Sequence, residues 1–160
     1  MDEKALFLRF WGKEAPATRK VLSRIPQEKS DYKPDAKSRT AREIAWLLVH
    51  EEILLAEGLE RGQFEWVELP TPATMAEIVA VYDARHEELT ERMKKVPASQ
   101  WEKRMPFTFQ GQEVMNETGY ENGWITLFDQ VHHRGQLSTY LRPMGSTVPQ
   151  IYGPSADEPM

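Results

Sequence analysis

The chain has 160 residues, of which 40% are hydrophobic and 28% are charged, and its formal net charge is −5. This length and composition predict one soluble domain, spanning residues 1–160, with a sizeable core. Because the chain contains no cysteine, disulfides, thiolate zinc sites and a cysteine nucleophile are excluded. The acidic balance argues against nucleic acid or an anionic membrane surface as a partner. The first residues form no continuous apolar run, so we predict neither a signal peptide nor a membrane anchor and expect a cytoplasmic protein.

The first predicted helix begins after Asp2, a residue type that favours the N-cap position. Its apolar residues recur at helical spacing and are Leu6, Phe7, Phe10 and Trp11. Pro16 lies inside this pattern and predicts a kink or break, since proline removes one helical hydrogen bond. Residues 25–40 follow and are rich in Pro, Asp, Ser and Lys, which is typical of a loop.

The second predicted helix opens at Thr40, which has Glu43 three residues later and therefore resembles a capping box. The helix is expected to end near Gly58, a glycine placed as at a helix C-terminus. Apolar residues surround much of its circumference, so it should be well buried.

Two ionisable residues border the apolar face of this second helix. His50 and Glu51 both follow Leu47 by about one turn. Glu51 lies near the centre of the apolar arc, where a carboxylate needs a cation or a hydrogen-bond donor. For His50, a hydrogen-bonded residue at the helix edge and a metal ligand are both open interpretations.

A connection and a third helix come next. Residues 60–71 are too short and too interrupted for a core helix and should be extended. The third helix is predicted to begin at Thr71 or Thr74 and to continue to about Val96. Its His86 lies among charged residues and is predicted to be solvated.

The last third of the chain contains the final helix. Residues 97–119 include an alternating stretch with a glycine turn, which predicts a short hairpin or an irregular segment. The fourth helix should begin within residues 117–122 and end before Pro143 or at Gly145. Residues 146–160 form a Pro- and Gly-rich tail. The predicted fold class is therefore all-α, a four-helix bundle with a short hairpin or irregular segment before its last helix.

The last helix carries a polar stripe. With about 100° per residue, His133, Gln136 and Tyr140 fall within roughly 40° of Asp129. His132 lies about 60° to the other side of Asp129. A bundle helix buries its apolar-flanked stripe, so these polar groups are predicted to point inward and to need partners.

Several kinds of chemistry are compatible with this stripe. Asp129 and His133 are spaced i,i+4, so both side chains can reach one ion or each other. A metal-free pair in which Asp129 orients His133, and a general acid–base pair, remain open alternatives. A nucleophilic triad is disfavoured, because Ser138 and Thr139 lie on the far side of the helix. Arg134 lies off the stripe, and we predict a structural role in which it pairs with a distant carboxylate or contacts the tail.

The run HHRGQLSTYLRPMG followed by VPQIYGPS resembles the end of the DinB/YfiT-like family of metalloenzymes. The stretch IPQEKSDYKPDAKSRTAREIAWLLVHEE is similar to that family's first loop and second helix. The resemblance implies a four-helix bundle, commonly dimeric. It also implies a divalent metal held by three histidines, one from the second helix and an H-x-x-x-H pair from the last.

The chain departs from that family pattern at two positions. Asp129 takes the place of the first histidine of the pair that ends with His133, and Leu47 falls where the second-helix histidine is expected. His50 and Glu51 are the candidate replacements. With His50, the ligands would be two imidazoles and one carboxylate, which leaves open positions for water or substrate. With Glu51, two carboxylates and one imidazole would favour Mn²⁺ or Mg²⁺ over Zn²⁺.

The resemblance implies a divalent-metal-dependent enzyme, a hydrolase or a thiol S-transferase acting on a small molecule, with Zn, Ni or Mn as the candidate metals. Gln136 and Tyr140 would be auxiliary residues that orient substrate or water. His132 would be a supporting or alternative ligand, or would pack against a neighbouring helix. The alternative is a non-catalytic, stress-associated homodimeric bundle with a degenerate metal site.

Overall fold

Four long helices and a small sheet make up the fold in a computed structural model, which describes residues 2–160. The elements are, in chain order, α1 (Glu3–Ser23), α2 (Ala41–Arg61), β1 (Phe64–Trp66), α3 (Met75–Lys95), the short α4 (Ala98–Trp101), β2 (Arg104–Phe109), β3 (Gln112–Thr118) and α5 (Gly119–Leu141). The protein is thus mostly helical, but the prediction of an all-α fold was too narrow. Among the described residues, no helix has the length and apolar content that crossing a membrane requires.

Each long helix begins at a side-chain cap. Asp2 accepts a hydrogen bond from the backbone N–H of Ala5 at 2.8 Å, which confirms it as the N-cap of α1. The other three long helices begin with complete capping boxes, formed by Thr40 and Glu43, Thr74 and Glu77, and Thr118 and Glu121. Such caps satisfy backbone N–H groups that the first turn leaves free, and each stabilises its helix by about 0.5–2 kcal/mol.

Pro16 lies inside α1, which continues to Ser23, so of the predicted kink or break the break is wrong. Other helices supply hydrogen bonds to the carbonyl groups just before the proline. The Glu14 carbonyl accepts from Arg134 Nη1 at 3.1 Å, and the Ala15 carbonyl accepts from the Tyr82 hydroxyl at 3.2 Å. Burial of apolar residues on both sides of Pro16 therefore continues the helix, although one intrahelical hydrogen bond is lost.

The second helix extends to Arg61, one turn farther than predicted, and ends at Gly62 with φ of 77°. Gly58 lies inside the helix, and its lack of a side chain makes room for Phe64. A Cβ atom at Gly58 would lie 2.0 Å from Phe64 Cδ1. The close approach of an aromatic ring, and not helix termination, explains the glycine.

The small sheet has the strand order β1-β2-β3. Strands β2 and β3 pair antiparallel and are joined by Gln110 and Gly111, whose φ values are 50° and 76°. Two residues with positive φ are typical of a tight hairpin turn, so the predicted hairpin is confirmed. Strand β1, predicted only as extended, pairs in parallel with β2.

Two apolar clusters form the core, one toward each end of the bundle. The first includes Leu48 of α2 and Leu137 of α5, and the second includes Leu55 of α2 and Leu127 of α5. Each long helix contributes one part to each cluster and carries polar residues between these two parts. The polar residues are Glu14 and Thr18 on α1, His50, Glu51 and Glu52 on α2, His86 on α3, and Asp129, Gln130, His133 and Arg134 on α5. This polar layer at mid-height positions the candidate site.

Candidate metal centre

Three ionisable side chains converge where α2 and α5 meet in the polar layer. Glu51 comes from α2, whereas Asp129 and His133 lie one turn apart on α5. Each offers one potential ligand atom, and these atoms all lie within 4.8 Å of one another. The predicted i,i+4 relation of Asp129 and His133 therefore places both side chains at one point, and Glu51 completes the group.

The Glu51 carboxylate is buried in an unfavourable environment. Glu51 is only 5% exposed, and its Oε2 atom has no hydrogen-bond partner among the described residues. Burial, followed by the neighbouring Asp129 carboxylate, raises the pKa of Glu51 well above its usual value. A buried carboxylate oxygen without a donor is costly unless a proton or a cation satisfies it. This atom therefore fits a metal ligand.

Asp129 and His133 interact with each other more loosely than a direct hydrogen bond requires. His133 Nε2 lies 3.5 Å from Asp129 Oδ2, which is beyond the usual hydrogen-bond range of about 2.7–3.2 Å. The side chains are 50% exposed for Asp129 and 11% exposed for His133. The neighbouring His133 lowers the pKa of Asp129 to about 2, and Asp129 in turn raises the pKa of His133. Asp129 is thus an anion at neutral pH.

Gln136 orients the imidazole of His133. The Nδ1–H group of His133 donates to Gln136 Oε1 at 2.9 Å, and the Gln136 amide donates to His132 Nε2 at 3.0 Å. When His133 is neutral with its proton on Nδ1, its Nε2 atom carries the lone pair that can bind a metal ion beside Asp129 and Glu51. Histidines that bind metals commonly use their second ring nitrogen in this way. Gln136 therefore contacts His133, and the exposed His132 meets both Gln136 and the His133 ring, with the two imidazole centroids 5.1 Å apart.

His50 does not join this group. It is 5% exposed, and its ring packs against Trp66 with the ring centroids 4.4 Å apart. His50 borders a separate cavity of about 290 Å³ between α2 and residues 63–69. Burial lowers the pKa of His50, whereas a close anion would raise it. Of the two candidates on α2, Glu51 faces Asp129 and His133, whereas His50 faces β1.

Tyr140 lies two turns beyond His133 and contacts the loop before α2. Its hydroxyl oxygen lies 3.5 Å from the Arg39 carbonyl oxygen, and its ring meets Tyr32 edge to face with the ring centroids 5.5 Å apart. The described contacts of Tyr140 thus involve the loop and no member of the three-residue group. Arg39, to which the sequence analysis gave no role, lies in the Ser-Arg-Thr part of the family-like stretch.

Arg134 forms the buried network that the sequence predicted. Its Nη2 atom lies 2.6 Å from Glu14 Oε2 and 2.7 Å from the Tyr152 hydroxyl, and its Nη1 atom donates to the Thr18 hydroxyl at 3.3 Å. The side chain therefore pairs with a distant carboxylate and also contacts the tail. These contacts lie on the α1 side of α5, away from Asp129.

His86 is not solvated, which corrects the sequence prediction. Its Nδ1 atom lies 3.0 Å from both carboxylate oxygens of the buried Glu52, and its ring stacks on Trp11 and Tyr82. Glu51 and Glu52 are adjacent in sequence and meet histidines of different helices. The charged neighbours of His86 in the sequence concealed this contact, because they lie on the outer face of α3.

The raised pKa of Glu51 predicts that the stability of the metal-free protein depends on pH in an unusual direction. Because its folded pKa is raised, the folded state retains a proton that the unfolded state releases above the ordinary glutamate pKa of 4.5. The contribution is therefore favourable at low pH and is lost as pH rises from about 4.5 toward the folded pKa. We expect stability to fall in that window by up to about 1.4 kcal/mol per pH unit relative to Glu51→Gln.

Urea unfolding of both proteins at a series of pH values, with a chelator present, measures this difference. Carboxylates distant from Glu51 contribute equally to the two proteins and cancel in the comparison. Parallel stability curves for the wild type and Glu51→Gln would show that Glu51 is not held in a charge-disfavouring environment.

Known proteins with similar sequence or structure place this chain among its relatives. The model of the DinB family matches residues 1–160. An uncharacterized protein, YrdA of Bacillus subtilis (strain 168), is 30% identical over 158 residues, which cover 95% of this chain and 89% of YrdA. A DinB-like protein from Bacillus cereus has a similar structure, with a TM-score of 0.73 at 20% identity over 91% of this chain and 95% of that one.

Two further crystal structures are similar. The DinB-like protein YjoA of Bacillus subtilis has a TM-score of 0.71 at 17% identity, over 91% of this chain and 96% of that one. A mycothiol-dependent maleylpyruvate isomerase has a TM-score of 0.52 at 12% identity, and the match covers 92% of this chain but only 65% of the isomerase. At such identities the structural likeness shows the fold alone. The family model and the similarity to YrdA establish more, and the chain belongs to the DinB family.

Proposed function

We propose that this protein is a divalent-metal-dependent enzyme that acts on a small molecule, with Glu51, Asp129 and His133 as the metal ligands. The observation that carries the proposal is the buried Glu51 carboxylate, which brings an oxygen within 4.8 Å of ligand atoms of Asp129 and His133 and whose Oε2 atom has no hydrogen-bond partner among the described residues. A site that needed only an internal pair of Asp129 and His133 would have no use for a third, desolvated carboxylate.

The residues present fit a divalent ion. Two carboxylates and one imidazole form an oxygen-rich ligand set. Such a set suits Mn²⁺ or Mg²⁺ better than Zn²⁺, which prefers nitrogen and sulfur ligands. Three protein ligands also leave coordination positions for a substrate. A divalent ion held there would lower the pKa of a water or thiol in contact with it and so favour a nucleophile near neutral pH.

The protein residues have distinct tasks in this proposal. Glu51 is buried and supplies the anchor inside the bundle, whereas the half-exposed Asp129 marks the side from which a substrate enters. Gln136 holds His133 in the tautomer that presents Nε2 to the site. Because Asp129 keeps its charge down to low pH, it binds a cation without first losing a proton.

A low-molecular-weight thiol is the proposed substrate class, and hydrolysis of a small molecule is the second reaction considered. The thiol is supported by the shared fold with a protein whose name states dependence on mycothiol. It is also supported by the resemblance of the last-helix run to the DinB/YfiT-like family. Thiols are suitable because a divalent ion stabilises the thiolate, which is the reactive form.

Elemental analysis of the purified protein, followed by thermal melts with Mn²⁺, Zn²⁺, Ni²⁺ and a chelator, tests the proposal. We expect near-stoichiometric metal in the wild type and a melt that rises with the bound ion. A ligand at about 100 times its dissociation constant should add roughly 2.7 kcal/mol to the stability of the folded state. His133→Ala should lose both effects, and activity screens with thiol and hydrolytic substrates should then depend on the same metal.

His132→Ala is the matched control, since His132 is the adjacent histidine and lies outside the three-residue group. It should retain stoichiometric metal. Metal that binds equally to the wild type and to His133→Ala would contradict the proposed site.

One observation favours the second candidate, a non-catalytic homodimeric bundle. Leu47 is buried where the resemblance places a metal-binding histidine, and a leucine cannot bind metal. Under this alternative the wild type would contain no metal, and no divalent ion would shift its melt. We propose a cytoplasmic homodimer in either case, and sedimentation velocity tests the dimer.

A further inference from the structure

We propose that Arg39 binds a carboxylate of the substrate, so that the substrate carries a metal-binding group at one end and an acid at the other. This inference rests on the proposed function, because it assigns a second contact to a ligand of the same metal site. It adds a substrate class, a thiol that also bears a carboxylate.

Backbone contacts fix the position of Arg39. It immediately precedes Thr40, the N-cap residue of α2, and its carbonyl oxygen lies 3.5 Å from the Tyr140 hydroxyl oxygen. Tyr140 lies two helical turns beyond His133 on the same stripe of α5. Arg39 therefore lies at the end of the seam between α2 and α5 that contains the candidate metal ligands.

The guanidinium group of Arg39 has no partner within residues 2–160. It is exposed, and no ion pair or side-chain hydrogen bond involves it. Every other arginine in the described chain pairs with a carboxylate, except Arg9, whose guanidinium lies over the ring of Phe10 at 5.3 Å from its centroid. In a protein of net charge −5, the lack of an acidic partner for Arg39 is a local exception.

The charge of Arg39 acts on the candidate site. It lowers the pKa of Glu51 and also that of His133, in both cases as a smaller contribution than burial and the contact with Asp129. The two affected residues lie on different helices, which agrees with a position of Arg39 at the end of the seam between α2 and α5. This electrostatic effect supports the position given by the backbone contacts.

The chemistry of the arginine selects the ligand. Guanidinium presents a planar pair of N–H donors that matches a carboxylate in a bidentate arrangement. One arginine neutralises one carboxylate, whereas a dianionic phosphate would retain an unpaired charge. Close to two protein carboxylates, an unpaired cation also reduces the repulsion that an acidic ligand would otherwise meet.

This assignment is tested with the full-length protein loaded with Co²⁺ and with thiol probes that either carry or lack a carboxylate. The probes are mercaptoacetate and 3-mercaptopropionate, each compared with the mercaptoalcohol of the same length. Binding is measured from the thiolate-to-cobalt charge-transfer absorbance. We expect at least one acid to bind about tenfold or more tightly than its alcohol, as a charge-assisted hydrogen bond implies. Arg39→Gln should remove that preference and leave the dissociation constant of the alcohol unchanged.

The matched control is Arg9→Gln, which removes an exposed arginine that also has no acidic partner, and it should keep the preference for the acid.

Arg39→Gln should bind cobalt as tightly as the wild type or more tightly, because it removes a positive charge near the ion. That result separates loss of the acid contact from damage to the site. A preference that persists in Arg39→Gln, or is missing in a cobalt-loaded wild type, overturns the role of Arg39 and leaves the metal site standing. A wild type that binds no cobalt overturns the proposed function and this inference together.

Discussion

Replacing Arg134 with alanine should lower the free energy of unfolding by about 3–5 kcal/mol, as expected when one partner of a buried ion pair is removed. Arg134 is 2% exposed, and its guanidinium satisfies the Glu14 carboxylate, the Glu14 carbonyl and the Tyr152 hydroxyl. Its loss leaves the Glu14 carboxylate with only the Tyr152 hydroxyl as a donor. Urea unfolding measured by circular dichroism gives the change directly.

Arg19→Ala is the control for this prediction. Arg19 also links α1 to another helix through a carboxylate, with Nη2 2.9 Å from Asp83 Oδ2, but both side chains are more than a third exposed. An exposed pair of this kind contributes about 0–1 kcal/mol, so Arg19→Ala should change stability little. Equal effects of the two substitutions would show that the Arg134 network contributes no more than a surface ion pair.

The same variants test whether Arg134 has only a structural role. Arg134→Lys keeps the positive charge with fewer donors, so it should lose less stability than Arg134→Ala. At temperatures where the variants remain folded, both should bind metal with unchanged affinity, since Arg134 faces α1 and not Asp129. Loss of activity without loss of stability would refute the structural role.

Replacing Glu51 with glutamine should weaken divalent-metal binding by at least about 100-fold, because it removes one of the three proposed ligands. Loss of a residue that only supports a ligand weakens metal binding by about 10–100-fold, and loss of a ligand should cost more. Glutamine has nearly the same shape as glutamate, so the polar layer should remain packed. Isothermal titration with Mn²⁺ and Zn²⁺ measures the change. His50→Gln is the matched control, since it changes the preceding residue, which is equally buried and faces β1.

His50→Gln should therefore bind metal as the wild type does. If instead His50→Gln loses the metal and Glu51→Gln keeps it, then α2 turns its other candidate toward the site. Loss of binding in both variants would indicate that the whole polar layer, and not one ligand, supports the ion.

The elements of this fold were largely predictable, because their signals act within one helical turn or one hairpin. Asp2, Thr40 and Thr74 satisfy the N–H groups at the starts of their own helices, so these starts are visible in the sequence. The turn at Gly111 joins neighbouring strands and was equally visible. Gly58 misled the prediction because a glycine at a helix end and a glycine beneath an aromatic ring look the same in sequence.

Contacts between distant segments were less accessible. The pairing of β1 with β2 joins Phe64 to Phe107, and no local pattern encodes a parallel partner so far along the chain. The contact of His86 with Glu52 depends likewise on how α3 packs against α2. Continuation of α1 through Pro16 depends likewise on the packing of α1 residues such as Trp11 and Val21 against other helices.

At the candidate site, too, some features could be predicted from the sequence and others depended on contacts between distant segments. The spacing of Asp129 and His133 was enough to show that they share one face of the last helix, because residues four apart lie side by side in any α-helix. The sequence also determined that α2 carries ionisable residues within an apolar surface. The choice between His50 and Glu51 required the tertiary structure. Adjacent helical residues point about 100° apart, so the rotation of α2 about its axis decides which of the two faces the last helix. That rotation is set by the packing of α2 against α3, α5 and β1 together, which no single segment encodes.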